Sequence, residues 1–284
     1  MRYQEEAFDA TEWLVLGVLE VAVLALVLGA CQRLWPAEPM TDRRAVRTDI
    51  AYTLLHRLGV FPLLAFALLT PAFDAIEAHL RLLGISRPNL EQWLPDAIGG
   101  PVASFVLYLI VLDLLDYWIH RGQHRWRWWW ELHAVHHSQR QMTMWSDNRN
   151  HLLDDLLRDA LLAAAALLIG MAPDQYVLLI IATRLWQSLQ HANLRWRFGA
   201  IGERLVVSPS FHRRHHAIGF GHEGRARGCN FGVLLSCWDQ WFGTADFRPG
   251  FVPTGIRDQL EGRDYGRGIV AQQWRALQRW FARA

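Results

Sequence analysis

The chain contains no lysine: all 29 basic residues are arginine, against 27 acids, for a net charge of +2 over 284 residues. So even a balance lacks the strongly basic surface of a nucleic-acid binder. Cysteine is scarce. Cys31, Cys229 and Cys237 form no CxxC pair, which leaves neither a disulfide framework nor a thiolate zinc site and suits all three to packing. The zinc-peptidase pattern HExxH is missing, because Gly224, Arg225 and Ala226 follow His222 and Glu223 with no second histidine. Internal repeats and low-complexity tracts are absent too.

The sequence is 52% hydrophobic yet 20% charged, so its apolar residues must be segregated into runs. Five runs, about 13–34, 50–70, 101–119, 152–171 and 175–189, are near the length that spans a bilayer. The first is almost wholly apolar, broken by Glu20. It is too long for a signal-peptide core and lacks a basic leader and a cleavage site, so it reads as retained. His56, Arg57 and Pro62 interrupt the second. The last two form either a hairpin across the bilayer or a shallower re-entrant pair. The expectation is an all-α integral membrane protein, one membrane-embedded domain over 1–284. It has about four to five transmembrane or re-entrant helices under a cytoplasmic helical cap. Residues 270–284 read as a helix packed on that cap or lying in the membrane interface, with Trp274, Leu277, Trp280 and Phe281 at helical spacing.

Charge orients the spans. Arg33, Arg43, Arg44 and Arg47 follow the first, whereas Glu5, Glu6, Asp9 and Glu12 precede it. The second connection carries Asp74, Glu77, Glu91 and Asp96, and Arg121, Arg125, Arg127, Arg140 and Arg149 follow the third span. The positive-inside rule then puts the N-terminus outside and the regions 120–151 and 191–250 in the cytoplasm.

Those two regions hold most of the thirteen histidines. Three clusters stand out: His120 and His124 in HRGQH; His133, His136 and His137 in HAVHH; His212, His215 and His216 in HRRHH. On a helix, spacings of three and four place side chains on one face, so each cluster can aim several imidazoles at one point. Eight imidazoles exceed what one tetrahedral zinc can use. Imidazole suits zinc, copper, iron and nickel alike, but a membrane enzyme facing unactivated hydrocarbon needs a redox metal, which favours two irons. His191 is a further candidate ligand, His151 a weaker one, and His222 is ambiguous; His56 and His79 lie far from the clusters and read as structural. Asp113 and Asp116, seven and four residues before His120 on the same face, are expected behind the ligands, accepting imidazole N–H bonds. The WRWWW run at 126–130 reads mainly as an interfacial belt. A zinc-dependent membrane hydrolase and a non-enzymatic haem or metal-binding membrane protein remain as alternatives.

In order, DYWIHRGQH at 116–124, WELHAVHHS at 130–138, RNH ending at His151, QHANL around His191, SPSFHRRHH at 208–216 and NFGVLLSCWDQWFGT at 230–244 resemble the fatty acid hydroxylase and sterol desaturase superfamily of membrane di-iron oxygenases. The resemblance implies a few transmembrane helices under a cytosolic cap that holds two metals. It implies O2-dependent hydroxylation or desaturation of a membrane lipid, whether sterol-like, hopanoid, carotenoid or fatty acyl. His120, His124, His133, His136, His137, His191, His212, His215 and His216 become the metal ligands, with two Fe ions as cofactors (Zn as a substitute in purified protein). No fused haem or flavin domain is visible, so a separate electron-transfer protein is the expected donor. The expected location is a bacterial inner membrane, with the active site on the cytoplasmic side. The pattern departs at Gln187, where some fatty acid hydroxylases place another histidine.

Overall fold

A computed structural model describes residues 2–85, 90, 100–224 and 227–282, the side chains of 2–10 excepted. Glu5, Glu6, Asp9, Glu91 and Asp96 of the charge pattern lie outside the described side chains, as do Arg225 and Ala226. Among the described residues the chain forms helices and isolated bridges but no sheet.

The first run is one continuous rod: α1 (Arg2–Val23), a π-turn at Leu24–Leu28 closed by Gly29 N–H to the Leu24 carbonyl, and α2 (Gly29–Leu34). The second run does not form one element over 50–70. Its chain breaks at Gly59, whose φ of 90° is open to glycine at little cost. The break separates α3 (Arg43–Arg57), N-capped by the Asp42 carboxylate, from α4 (Val60–Leu82). His56 and Arg57, which interrupt the apolar pattern, sit at the end of α3 and bond across to other helices. The third run becomes α5 (Pro101–Arg125), which continues past His120 to include His124. The fourth and fifth become a hairpin, α7 (Leu152–Leu168) and α8 (Pro173–His191), turned at Gly170 and Met171.

Among the described residues, three helices are long and apolar enough to cross a membrane: Thr11–Leu34, Val60–Leu82 and Pro101–Arg125. The α7–α8 pair is not among them: α7 has 17 residues, and Asp174, Arg184 and the polar residues near its end make α8 less apolar. Leu14, Val18, Leu64 and Phe66 on the first two of these helices are exposed, an apolar surface that water would disfavour.

Around these run the shorter elements: α6 (Arg127–His137), α9 (Gly199–Leu205), α10 (Pro209–His215), α11 (Cys237–Trp241) and α12 (Ile269–Phe281). α12 packs on α6 and buries Ala276, leaving Trp274 and Phe281 exposed. Tyr108 and Leu112 of α5 pack with Ala166 of α7 and Leu179 of α8, which fixes the hairpin against the third membrane-length helix.

A buried ionic group ties the rod to the rest. Arg57 bonds to Glu20, to Asp147 at 2.9 Å, to Ser188 Oγ at 2.9 Å and to the Arg184 carbonyl at 3.1 Å. α1 and α3 approach closely enough that a Cβ at Gly17 would stand 1.7 Å from the Arg57 carbonyl oxygen. Glycine is required there by contact, not by torsion.

Candidate metal centre

Each histidine cluster sits where a helix ends, and the ends converge. His120 and His124 lie one turn apart at the end of α5; His133, His136 and His137 share the inner face of α6; His191 is the last residue of α8. The seven residues of α10 are too few to hold together by helix propensity alone. Its start is fixed by Pro209 in the first turn and by Ser208 Oγ accepting from Phe211 N–H at 3.1 Å. His212 and His215 lie on that helix and His216 caps it.

All nine histidines of the expected set are buried and form two groups. In His120, His124, His133, His137 and His215, one ring nitrogen of each lies within 4.8 Å of the others; His136, His191, His212 and His216 form a second such group. The groups adjoin, with ring centroids 4.3 Å apart for His137 and His216 and 5.2 Å for His215 and His216.

Backbone carbonyls set the tautomers. His120 Nδ1–H donates to Phe231 O, His191 Nδ1–H to Gln187 O and His215 Nδ1–H to Cys229 O, each at 2.8 Å. A carbonyl only accepts, so the Nε2 lone pair of each ring is left facing inward. Both ring nitrogens of His124 and His137, Nε2 of His133 and His215, and Nδ1 of His136, His212 and His216 are buried without any hydrogen-bond partner. One such atom would be an ordinary exception, but nine in one cluster are not. Burial, reinforced by neighbouring imidazoles, pushes His136, His137, His212 and His216 well below the usual histidine range. Neutral rings with inward lone pairs are what divalent cations bind, so the residues present fit two metal ions.

The acids depart from expectation. Asp113 touches no imidazole. It accepts from the amides of Leu234 and Leu235 at 2.9 and 3.0 Å and from Trp238 Nε1 at 2.8 Å, pinning the 234–238 segment to α5. Asp116 touches none either: Arg158 of α7 grips it in a two-pronged pair, Nε to Oδ1 at 2.8 Å. Both acids lie on α5 with His120, but loop amides and an arginine reach them first.

The acid that does reach a histidine of the two groups is Asp154, in the first turn of α7. Its Oδ2 accepts from His133 Nδ1 at 2.9 Å, and its Oδ1 from Gln123 Nε2 at 2.7 Å and Trp129 Nε1 at 2.6 Å. Asp239 acts one step further back. It accepts from the amides of Phe231 and Gly232 at 2.8 and 2.7 Å, holding the turn whose Phe231 carbonyl orients His120. Burial raises Asp239 to about 6. The role of Asp239 ties the NFG part of the NFG…WDQWFGT pattern to its WDQWFGT part.

His151 belongs to neither group; its Nδ1 accepts from Leu153 N–H at 3.2 Å and caps α7. His222 lies against His137 and Trp130, with centroids 5.2 and 5.3 Å apart, outside both groups. His56 bonds Asp155 at 2.9 Å, and His79 is exposed in the last turn of α4. The tryptophan run divides: Trp126 and Trp128 are exposed, whereas Trp129 reaches Asp154 and Trp130 packs on His124. Cys229 contributes its carbonyl, not its sulfur, whose thiol burial pushes to about 12.

A cavity beside the histidines, about 60 Å³, is lined by His120, His133, His136, His191 and His212. It adjoins one of about 90 Å³, partly open to solvent, between α5, α7 and α8. Asp116, Asp147, Asn150, Asp155, Arg158 and Gln187 line both.

The sequence profile of the fatty acid hydroxylase family matches residues 105–244, the segment that carries every histidine of the two groups. An ornithine lipid hydroxylase of Rhizobium tropici is 30% identical over 257 residues, 89% of this chain and 71% of that protein. A Delta(7)-sterol 5(6)-desaturase of Gibberella zeae is 27% identical over 50% of this chain and 41% of its own length. The alkylglycerol monooxygenase of Danio rerio is 30% identical over 49% of this chain and 29% of its own. No solved structure matches.

Proposed function

The chain belongs to the fatty acid hydroxylase family, and on that premise we propose that it is an O2-dependent di-iron lipid hydroxylase or desaturase of the membrane. The observation that carries the reading is the pair of adjoining imidazole groups, five and four strong, opening on a cavity between α5, α7 and α8. The nine histidines would hold two iron ions, which when bound supply the capacity to activate O2 against an unactivated C–H bond.

The chain's own residues do the rest. Carbonyls of Phe231, Gln187 and Cys229 and the Asp154 carboxylate fix ring orientation. Leu109, Leu112, Leu162, Leu179 and Ile180 give the larger cavity an apolar side on which hydrocarbon can rest. Hydroxylation consumes one O2, two electrons and two protons per C–H bond and releases one water; desaturation by the same oxidant releases two. The electrons come from a separate donor protein. The nine imidazoles lie together, so they share one membrane face, and the arginine distribution makes that face cytoplasmic, as in a bacterial inner membrane.

The ornithine lipid hydroxylase matches 89% of this chain, which makes an amino-acid lipid the first substrate to try. Purified protein loaded with iron and supplied with a reductant should yield a product one oxygen heavier, with label from 18O2. Label from H2 18O instead would point to hydrolysis or hydration and end the oxygenase reading. A preparation active with zinc alone would favour the hydrolase.

A further inference from the structure

One face of α8 links the two cavities. Tyr176, Ile180, Arg184, Gln187 and His191 follow one another at spacings of three and four. The first four line the larger cavity, and Gln187 and His191 line the smaller. Along the helix the face passes from aromatic and aliphatic, through a cation, to a metal-binding imidazole.

Most acids along the cavities are already engaged. Arg158 holds Asp116, Arg57 and Ser188 hold Asp147, and His56 holds Asp155. Asp159 makes no hydrogen bond and stands 3.9 Å from Arg158 Nη1. Among the described residues, the Arg184 guanidinium has neither a hydrogen-bond acceptor nor a carboxylate within ion-pair distance, although its own carbonyl accepts from Arg57. A guanidinium on a cavity wall keeps five donors in a planar fork that matches an oxyanion two-pronged. Asp159 and Glu20 act on it electrostatically from beyond ion-pair distance, and neither accepts from it, so the donors of the fork are available to a ligand.

We propose that Arg184 is the substrate-selecting residue, receiving the anionic group of an amphiphilic lipid. On the oxygenase reading, it thereby sets which carbon meets the imidazoles. Seven residues separate it from His191, about 10 Å along the helix axis. The oxidised C–H bond therefore lies toward the polar end of the lipid, not at the tip of its acyl chain. Carboxylate and phosphate would each satisfy the fork, so the test separates them.

The test uses the purified full chain in detergent and titrates two pairs of lipids calorimetrically, without turnover. One pair is ornithine lipid, whose amino-acid head bears a carboxylate, and its methyl ester; the other is phosphatidylglycerol and diacylglycerol. A charge-assisted pair predicts roughly 10- to 100-fold tighter binding of the acid than of its neutral counterpart in one of the pairs. Whichever pair shows the difference identifies the source of the anion. Arg184→Gln should remove the discrimination and Arg184→Lys should retain most of it, both with unchanged metal content. Equal binding within both pairs by the parent protein overturns the proposal, as does full discrimination by Arg184→Gln. If Arg184→Gln fails to fold, the comparison in the parent protein and Arg184→Lys still decides. Loss of 18O2 incorporation with discrimination intact would remove the oxygenase reading alone, and the converse would remove only the role of Arg184.

Discussion

Replacing Asp154 with asparagine tests the centre at its most informative point. The carboxylate is buried and bonded to Gln123 of α5 and to Trp129 and His133 of α6. Asparagine keeps an acceptor where Gln123 and Trp129 donate, but it presents an NH2 group to His133 Nδ1. Two donors cannot pair, so His133 must move its proton to Nε2, the nitrogen that faces the imidazole group. A protonated Nε2 does not ligate a metal. The stability cost is that of one hydrogen bond to a charged group, about 1.5–3 kcal/mol, whereas metal affinity should fall about 10–100-fold. Asp154→Ala would instead strand three donors and cost more stability. The assay is bound iron after a graded chelator challenge, with the thermal midpoint measured on the same metal-free preparations. If Asp154→Asn kept both metals against chelator as well as the parent does, Asp154 would not orient a ligand and the two-group reading of His133 would fail.

Three further outcomes follow from the same geometry. Asp113→Asn should lower thermal stability by roughly 1–3 kcal/mol, because amides of Leu234 and Leu235 lose a charged acceptor; chelator resistance falling further than in Asp154→Asn would reverse the roles assigned to the two acids. Arg57→Met leaves Glu20 and Asp147 buried without their cation and should cost about 3–5 kcal/mol, read as a drop in denaturation midpoint; an unchanged midpoint would mean the ionic group is not structural. In metal-free protein, His136, His137, His212 and His216 have folded pKa values held below 6.5, so the unfolded chain takes up protons first. Stability should therefore be flat above about pH 7 and fall below about pH 6.5, by up to about 1.4 kcal/mol per pH unit for each ring. Asp239, raised to about 6, works the other way, its favourable contribution being lost as pH rises from 3.8 towards 6, and it only partly offsets the slope. Metal-free protein as stable at pH 5 as at pH 7 would contradict the buried neutral rings.

Much of the centre could be read locally. His120 with His124, and His133 with His136 and His137, are one-face spacings that hold on any helix, and the structure has helices there. The membrane-length helices at 11–34 and 101–125 likewise follow from apolar length alone. The second apolar run misled because a left-handed turn at Gly59 is a single-residue event inside an otherwise continuous pattern. The α7–α8 hairpin formed, but Asp155, Arg158, Asp159 and Arg184 line the larger cavity, and periodicity cannot tell a cavity from lipid.

The amino-acid sequence by itself determined the histidine sets, the apolar segments and the family, since each is written in residues close together along the chain. Which acid serves which ring was decided only by the tertiary structure. Asp113 and Asp154 are both buried near histidines, and helical phase places Asp113 on the His120 face. Yet Asp113 meets amides 121 and 122 residues away in sequence, while Asp154 meets His133 across an interhelical contact. A carboxylate binds the donors that packing brings within about 3 Å, and no local pattern encodes that distance. The unpartnered Arg184 was hidden for the same reason: its significance is the lack of a nearby acceptor, a property of the space around it and not of the residues beside it in the chain.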